Sequence, residues 1–69
     1  MNNGFGAGTL RKNIRPGICV KIVLKADQKS GRLTEGVVRD ILTNSAYHSR
    51  GIKVRLTDGK IGRVQQIFD

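Results

Sequence analysis

Apolar and polar residues alternate most cleanly between Gly51 and Ile67. Ile52, Val54 and Leu56 alternate with Lys53 and Arg55, the period-two pattern of a strand with one apolar and one charged face. Asp58-Gly59 follows at once. Asp-Gly suits a two-residue type I′ turn, in which both central positions need positive φ. The chain then returns through Gly62-Arg63-Val64. The stretch reads as one β-hairpin, with aliphatics inside and Lys53, Arg55 and Arg63 outside.

The same design occurs earlier in longer form. Gly17-Ile18-Cys19-Val20-Lys21-Ile22 matches Gly51-Ile52-Lys53-Val54-Arg55-Leu56 as Gly-Ile-x-Val-basic-aliphatic. Gly36-Val37-Val38-Arg39-Asp40-Ile41 matches Gly62-Arg63-Val64-Gln65-Gln66-Ile67 as Gly-x-Val-x-x-Ile. Each half is therefore strand, connection, Gly-x-Val strand. One hairpin cannot cover its own apolar face, and two hairpins closing on each other can. The expected fold is all-β, a small barrel of four to five antiparallel strands built from two related hairpins.

Residues 1–10, rich in Gly and Asn, read as a flexible N-terminal tail, which leaves 11–69 as one small domain. Gly4-Phe5-Gly6-Ala7-Gly8 has no strand before it and no helix after it, so it is not a phosphate loop. Leu10 to Arg15 suits a short turn or helix. Pro16-Gly17 ends it, and a strand begins with Ile18, Val20, Ile22 and Leu24 on one face. Asp27 to Arg32 forms a loop. A second strand runs from Leu33 to Leu42. Val38 and Ile41 are three apart and cannot share a regular strand face, so a bulge or turn is expected near Arg39-Asp40. Thr43 to Arg50 is a polar linker holding the single Tyr and the single His of the chain.

Charge sharpens the picture. Thirteen Lys and Arg oppose five Asp and Glu, for a formal charge of +8 and a pI near 10.7. That is the electrostatic footprint of a nucleic-acid binder. The basic residues are spread singly between strand aliphatics, which builds a positive surface on a folded sheet. At 69 residues the core is small. One cysteine excludes an intramolecular disulfide, and no Cys/His cluster has zinc spacing. No signal peptide or membrane-spanning run is visible, so a soluble, cytoplasmic protein with no membrane partner, metal or cofactor is expected.

Gly59-Lys60-Ile61-Gly62-Arg63-Val64-Gln65-Gln66-Ile67 resembles the Gly-x-x-Gly-x-Val-x-x-Ile core of the KOW motif. That resemblance implies an SH3-like barrel that binds RNA or protein. The first half departs from it, because Gly31 and Gly36 are five apart where the motif has three. A broader resemblance runs from Arg11 onward. Ile14-Arg15-Pro16-Gly17, Val23-Leu24-Lys25-Ala26-Asp27-Gln28, Gly36-Val37-Val38, Ile41-Leu42-Thr43, His48 and Gly51-Ile52-Lys53-Val54 through Gly62-Arg63-Val64 look like the YwbE family, small bacterial proteins with relatives in fungi. It implies a compact β-barrel and supplies no activity.

The leading expectation is an RNA-binding module, for ribosomal or other structured RNA, held mainly through phosphates. Lys21, Arg39, Lys53, Arg55 and Arg63 fall on outward strand positions, and Lys29, Arg32, Arg50 and Lys60 fall in loops or turns. Tyr47 either stacks on a base or covers an open barrel end. His48 either contacts phosphate or caps a turn. The alternative is an SH3-like module that holds an acidic protein partner at a sheet edge or loop groove. An enzyme is not expected, since no nucleophile, base and orienting group have sensible spacing. Asp27 and His48 form the single pair worth checking, and Cys19 reads as a small hydrophobe.

Overall fold

Four antiparallel strands close on one another in a computed structural model that describes residues 7–68. They are β1 (Cys19–Leu24), β2 (Thr34–Ile41), β3 (Lys53–Leu56) and β4 (Ile61–Phe68). β1 pairs with β2, β2 with β3, β3 with β4, and β4 returns to β1. The result is a small all-β barrel of the SH3-like kind, connected by loops and three short 3-10 turns at Ala7–Thr9, Arg11–Asn13 and Lys25–Asp27. Among the described residues, no helix is long and apolar enough to cross a membrane.

The alternation fills the interior as expected. Val20 and Ile22 of β1, Val54 and Leu56 of β3, and Val64 and Ile67 of β4 are buried, with Val38, Ile52, Ile18 and Ile14 completing the core. No polar or charged side chain is buried among the described residues. The barrel is also internally twofold. Val20 faces Gly36 as Val54 faces Gly62, and Val20 faces Ile67 as Val54 faces Ile41. Gly17 and Gly51 precede equivalent strands and both take positive φ, 98° and 100°.

The bulge lies where the spacing placed it. The β2–β3 register shifts between Val38 and Asp40. Its twin interrupts the β1–β4 register, where Lys21 faces Gln66 and Ile22 faces Val64. The extra residue, Arg39 in one half and Gln65 in the other, lets both Val38 and Ile41, or Val64 and Ile67, turn toward the core.

Two expectations need correction. The β3–β4 turn is not type I′. Gly59 alone has positive φ there, 94°, and no described non-glycine residue does. Gly59 N donates to Leu56 O at 2.9 Å and Leu56 N to Lys60 O at 2.8 Å, the pattern of a three-residue loop with a glycine bulge. The expected tail of 1–10 also ends sooner. Residues 1–6 lie outside those described, but Ala7 to Leu10 pack on the barrel. Ile52 N donates to Gly8 O at 2.8 Å, His48 N donates to Thr9 O at 3.0 Å, and Leu10 bridges Tyr47. Gly8 is buried so close to Val64 that a side chain there would collide with it.

Candidate nucleic-acid interface

The alternation that buries Val54 and Val64 turns Lys53 and Arg63 outward as directly opposed neighbours on β3 and β4. Val23 of β1 stands on the other side of Arg63. Arg63 is held in place by Nη1, which donates to Gly51 O at 3.1 Å. Lys25 reaches the same region from the 3-10 turn after β1. Arg50 reaches it from the linker, whose backbone is tied down where Gln65 Nε2 donates to Arg50 O at 3.0 Å.

These side chains border two adjoining hollows that form one groove. Val23, Gln28 and Arg63 are common to both. One hollow, of about 440 Å³, adds Gly31, Leu33, Arg50 and Gln65. The other, of about 390 Å³, adds Lys25, Lys53, Ile61 and Gly62. No carboxylate lines either hollow. The groove therefore presents Lys25, Arg50, Lys53 and Arg63 beside the aliphatic side chains of Val23, Leu33 and Ile61.

The carboxylates sit elsewhere. Asp40 takes Arg55 at 3.2 Å and Arg39 at 3.6 Å. Asp58 takes Lys60 at 2.9 Å, and this bond with the Lys60 backbone N–H holds the Asp58 carboxyl below its usual range. Arg39, Arg55 and Lys60 are thus partly satisfied inside the chain. Lys21 lies 5.5 Å from the Phe68 ring centroid and opposite Glu35. Lys29 and Arg32 are exposed on the loop whose Gly31 and Leu33 line the groove.

Tyr47 is 58% exposed, so it does not seal a barrel end. His48 is half-buried, and its Nδ1 accepts the Arg50 N–H at 3.1 Å, which caps the turn leading to Gly51. No hydrogen bond joins it to Asp27, whose carbonyl instead accepts from Gly31 N and Ser30 Oγ. Among the described residues no cluster of His, Cys, Asp and Glu could hold a metal ion. Cys19 Sγ donates to Glu35 Oε2 at 3.5 Å. Removal from water, then that bond and the nearby negative charge, push the thiol above its usual pKa, so it is not an activated nucleophile.

The sequence reading missed Lys25, Gln28 and Gln65 as groove residues. Lys25 carried a signal, since the β1 alternation extends to it on the outward side. The glutamines carried none, because a neutral amide in a polar loop or an outward strand position is unremarkable.

The internal repeat supplies a control for the cationic pair. The position of Lys53 on β3 is that of Cys19 on β1, and the position of Arg63 on β4 is that of Val37 on β2. Cys19 and Val37 face each other just as Lys53 and Arg63 do. The barrel accepts a neutral pair at this site, so two cations there are not a requirement of folding. Each of the four described strands has a strand neighbour on both sides in the closed barrel.

The family model described as "Uncharacterized conserved protein (DUF2196)" matches residues 7–67. The protein called "Uncharacterized protein YwbE" from Bacillus subtilis (strain 168) is 63% identical over 60 residues, covering 87% of this chain and 92% of that protein. No solved structure gives a significant match.

Proposed function

This chain belongs to the DUF2196 family, and from its groove we propose that it is an RNA-binding module that holds its ligand through phosphates. The observation that carries this reading is the row of Lys25, Arg50, Lys53 and Arg63 with no carboxylate among them. A concave surface with one sign of charge concentrates a polyanion and speeds its approach. Arg63 and Arg50 offer guanidinium forks for phosphate oxygens, and Lys25 and Lys53 offer mobile point charges. Lys29 and Arg32, on the adjoining loop, extend the positive surface. A cytoplasmic location belongs to this reading, since RNA is met there.

Sequence discrimination is weak in this reading, because no aromatic ring lines the groove for bases to stack on. The test is filter binding of mixed RNA across a salt series. With roughly four phosphates neutralised, the log affinity falls against log salt with a slope of about −3. Replacing Lys53 and Arg63 by Gln lowers the affinity and reduces the slope by about 1 to 2. Failure to bind at low salt, or binding indifferent to salt, sinks the proposal. Recovery of a protein partner that survives nuclease would favour an acidic protein as ligand instead.

A further inference from the structure

The groove is divided, and the divider is charged. Val23, Gln28 and Arg63 belong to both hollows. Leu33 lies in one hollow and Ile61 in the other, and each is exposed, at 37% and 39%. Exposed aliphatics flanking a cation are more than phosphate binding needs.

A duplex and an unpaired strand would use such a surface differently. A duplex keeps its bases stacked inside and presents phosphates, sugars and groove edges. Against it, Leu33 and Ile61 would be covered by charged backbone and gain nothing. An unpaired strand presents phosphates in alternation with bases whose faces are free. Two hollows that share Arg63, one lined by Leu33 and the other by Ile61, match that alternation.

We infer that the groove takes single-stranded RNA, with one phosphodiester at Arg63 and Lys53 and the flanking bases against Leu33 on one side and Ile61 on the other. The inference rests on the RNA reading above and narrows it. Gln65 adds a limited polar contact. Its amide nitrogen is already given to the carbonyls of Arg50 and Arg63, at 3.0 and 3.4 Å, which leaves its oxygen as an acceptor for a base amino group.

The experiment is fluorescence anisotropy on the full chain with a labelled mixed-sequence RNA of about ten nucleotides, as a single strand and as a blunt duplex. Three proteins are compared: the wild type, the double substitution L33S with I61S, and R63Q. Both aliphatic positions are already solvent-exposed, and circular dichroism and a thermal melt check that their substitution leaves the barrel folded. The wild type is expected to bind the single strand about tenfold more tightly than the duplex. The double substitution is expected to remove most of that preference by weakening the single strand alone, while R63Q weakens both. Equal binding of both RNAs overturns the single-strand inference and leaves the RNA reading standing. So does a preference that survives the double substitution undiminished. Binding of neither RNA overturns the RNA reading itself.

Discussion

Lys53 on β3 and Arg63 on β4 stand directly opposite each other across the sheet, two cations side by side on the outer surface. Like charges in that position repel and weaken strand pairing. Neither has a carboxylate partner among the described residues, where Asp40 and Asp58 are taken by Arg39, Arg55 and Lys60. The same junction in the first half is the neutral pair Cys19 and Val37. A repulsive pair in one half, absent from its twin, is where the proposed RNA reading sets binding against stability.

Lys53→Gln therefore raises stability while lowering RNA affinity. The gain is about 0.2–1 kcal/mol, the scale of a cross-strand pair. Urea denaturation measures it, and anisotropy with RNA measures the loss. Added salt stabilises the wild type more than the variant, because screening relieves a repulsion the variant lacks. A variant less stable than the wild type in low salt would show that Lys53 contributes by packing rather than by charge.

The two strand glycines exchange partners between the hairpins. A Cβ on Gly36 would sit 2.5 Å from Leu56 Cδ1, and one on Gly62 would sit 2.9 Å from Ile22 Cδ1 and closer still to the Val23 carbonyl. Leu56 and Ile22 occupy equivalent positions and are fully buried. Both substitutions to Ala destabilise, by about 1–3 kcal/mol for overpacking a filled interior. Gly62→Ala costs more, because a backbone carbonyl in a paired strand cannot swing aside as a leucine methyl can. Parallel urea melts give the order, and an equal cost at both sites would contradict it.

Much of this barrel is legible in the chain because its strands alternate. A period of two allows one inward face, so Val38 and Ile41, three apart, demanded the bulge found between Val38 and Asp40. Lys53 and Arg63 were legible as outward residues for the same reason. The groove they share with Lys25 and Arg50 was not, because those two arrive from loops whose path depends on closure of the barrel. Nor could sequence tell which cations are already satisfied, since Asp40 meets Arg55 only through the cross-strand register. The packing of Ala7 to Leu10 rests on backbone carbonyls of Gly8 and Thr9, and a backbone acceptor leaves no mark in residue type. Asp58-Gly59 suits more than one turn, and only the bond from Leu56 N to Lys60 O decides for the longer one.

That longer turn makes stability depend on acid. Asp58 accepts from Lys60 Nζ at 2.9 Å and from Lys60 N at 3.1 Å, which lowers its pKa below the ordinary 3.8. A carboxyl with a lowered folded-state pKa contributes stability above its unfolded value, and loses it as pH falls through the folded value. The contribution is therefore complete at neutral pH, begins to decline near pH 3.8 and is lost as pH falls through the lower folded value. Asp58 is exposed, so the effect is small and screened by salt. Asp58→Asn flattens this part of the acid profile in chemical denaturation. An unchanged profile would show that the bonds from Lys60 to Asp58 do not set the acid sensitivity.

Cys19 gives the opposite sign. Partial burial raises its pKa first, the hydrogen bond to Glu35 and that carboxylate's charge raise it further, and Lys21 opposes them. The denatured chain ionises its thiol near 9.0, before the folded chain does. Stability from this group is thus fully present below that pH and is lost as pH rises through the raised folded value. Cys19→Ser removes this alkaline loss, which urea melts from neutral to strongly alkaline pH will show. Alkylation is the kinetic counterpart, because the thiolate is the nucleophile. The folded protein reacts with iodoacetamide more slowly than the urea-unfolded chain, and Glu35→Gln speeds the folded reaction by removing a charge that opposes the thiolate. Equal rates for the wild type and Glu35→Gln would mean that burial alone protects the sulfur.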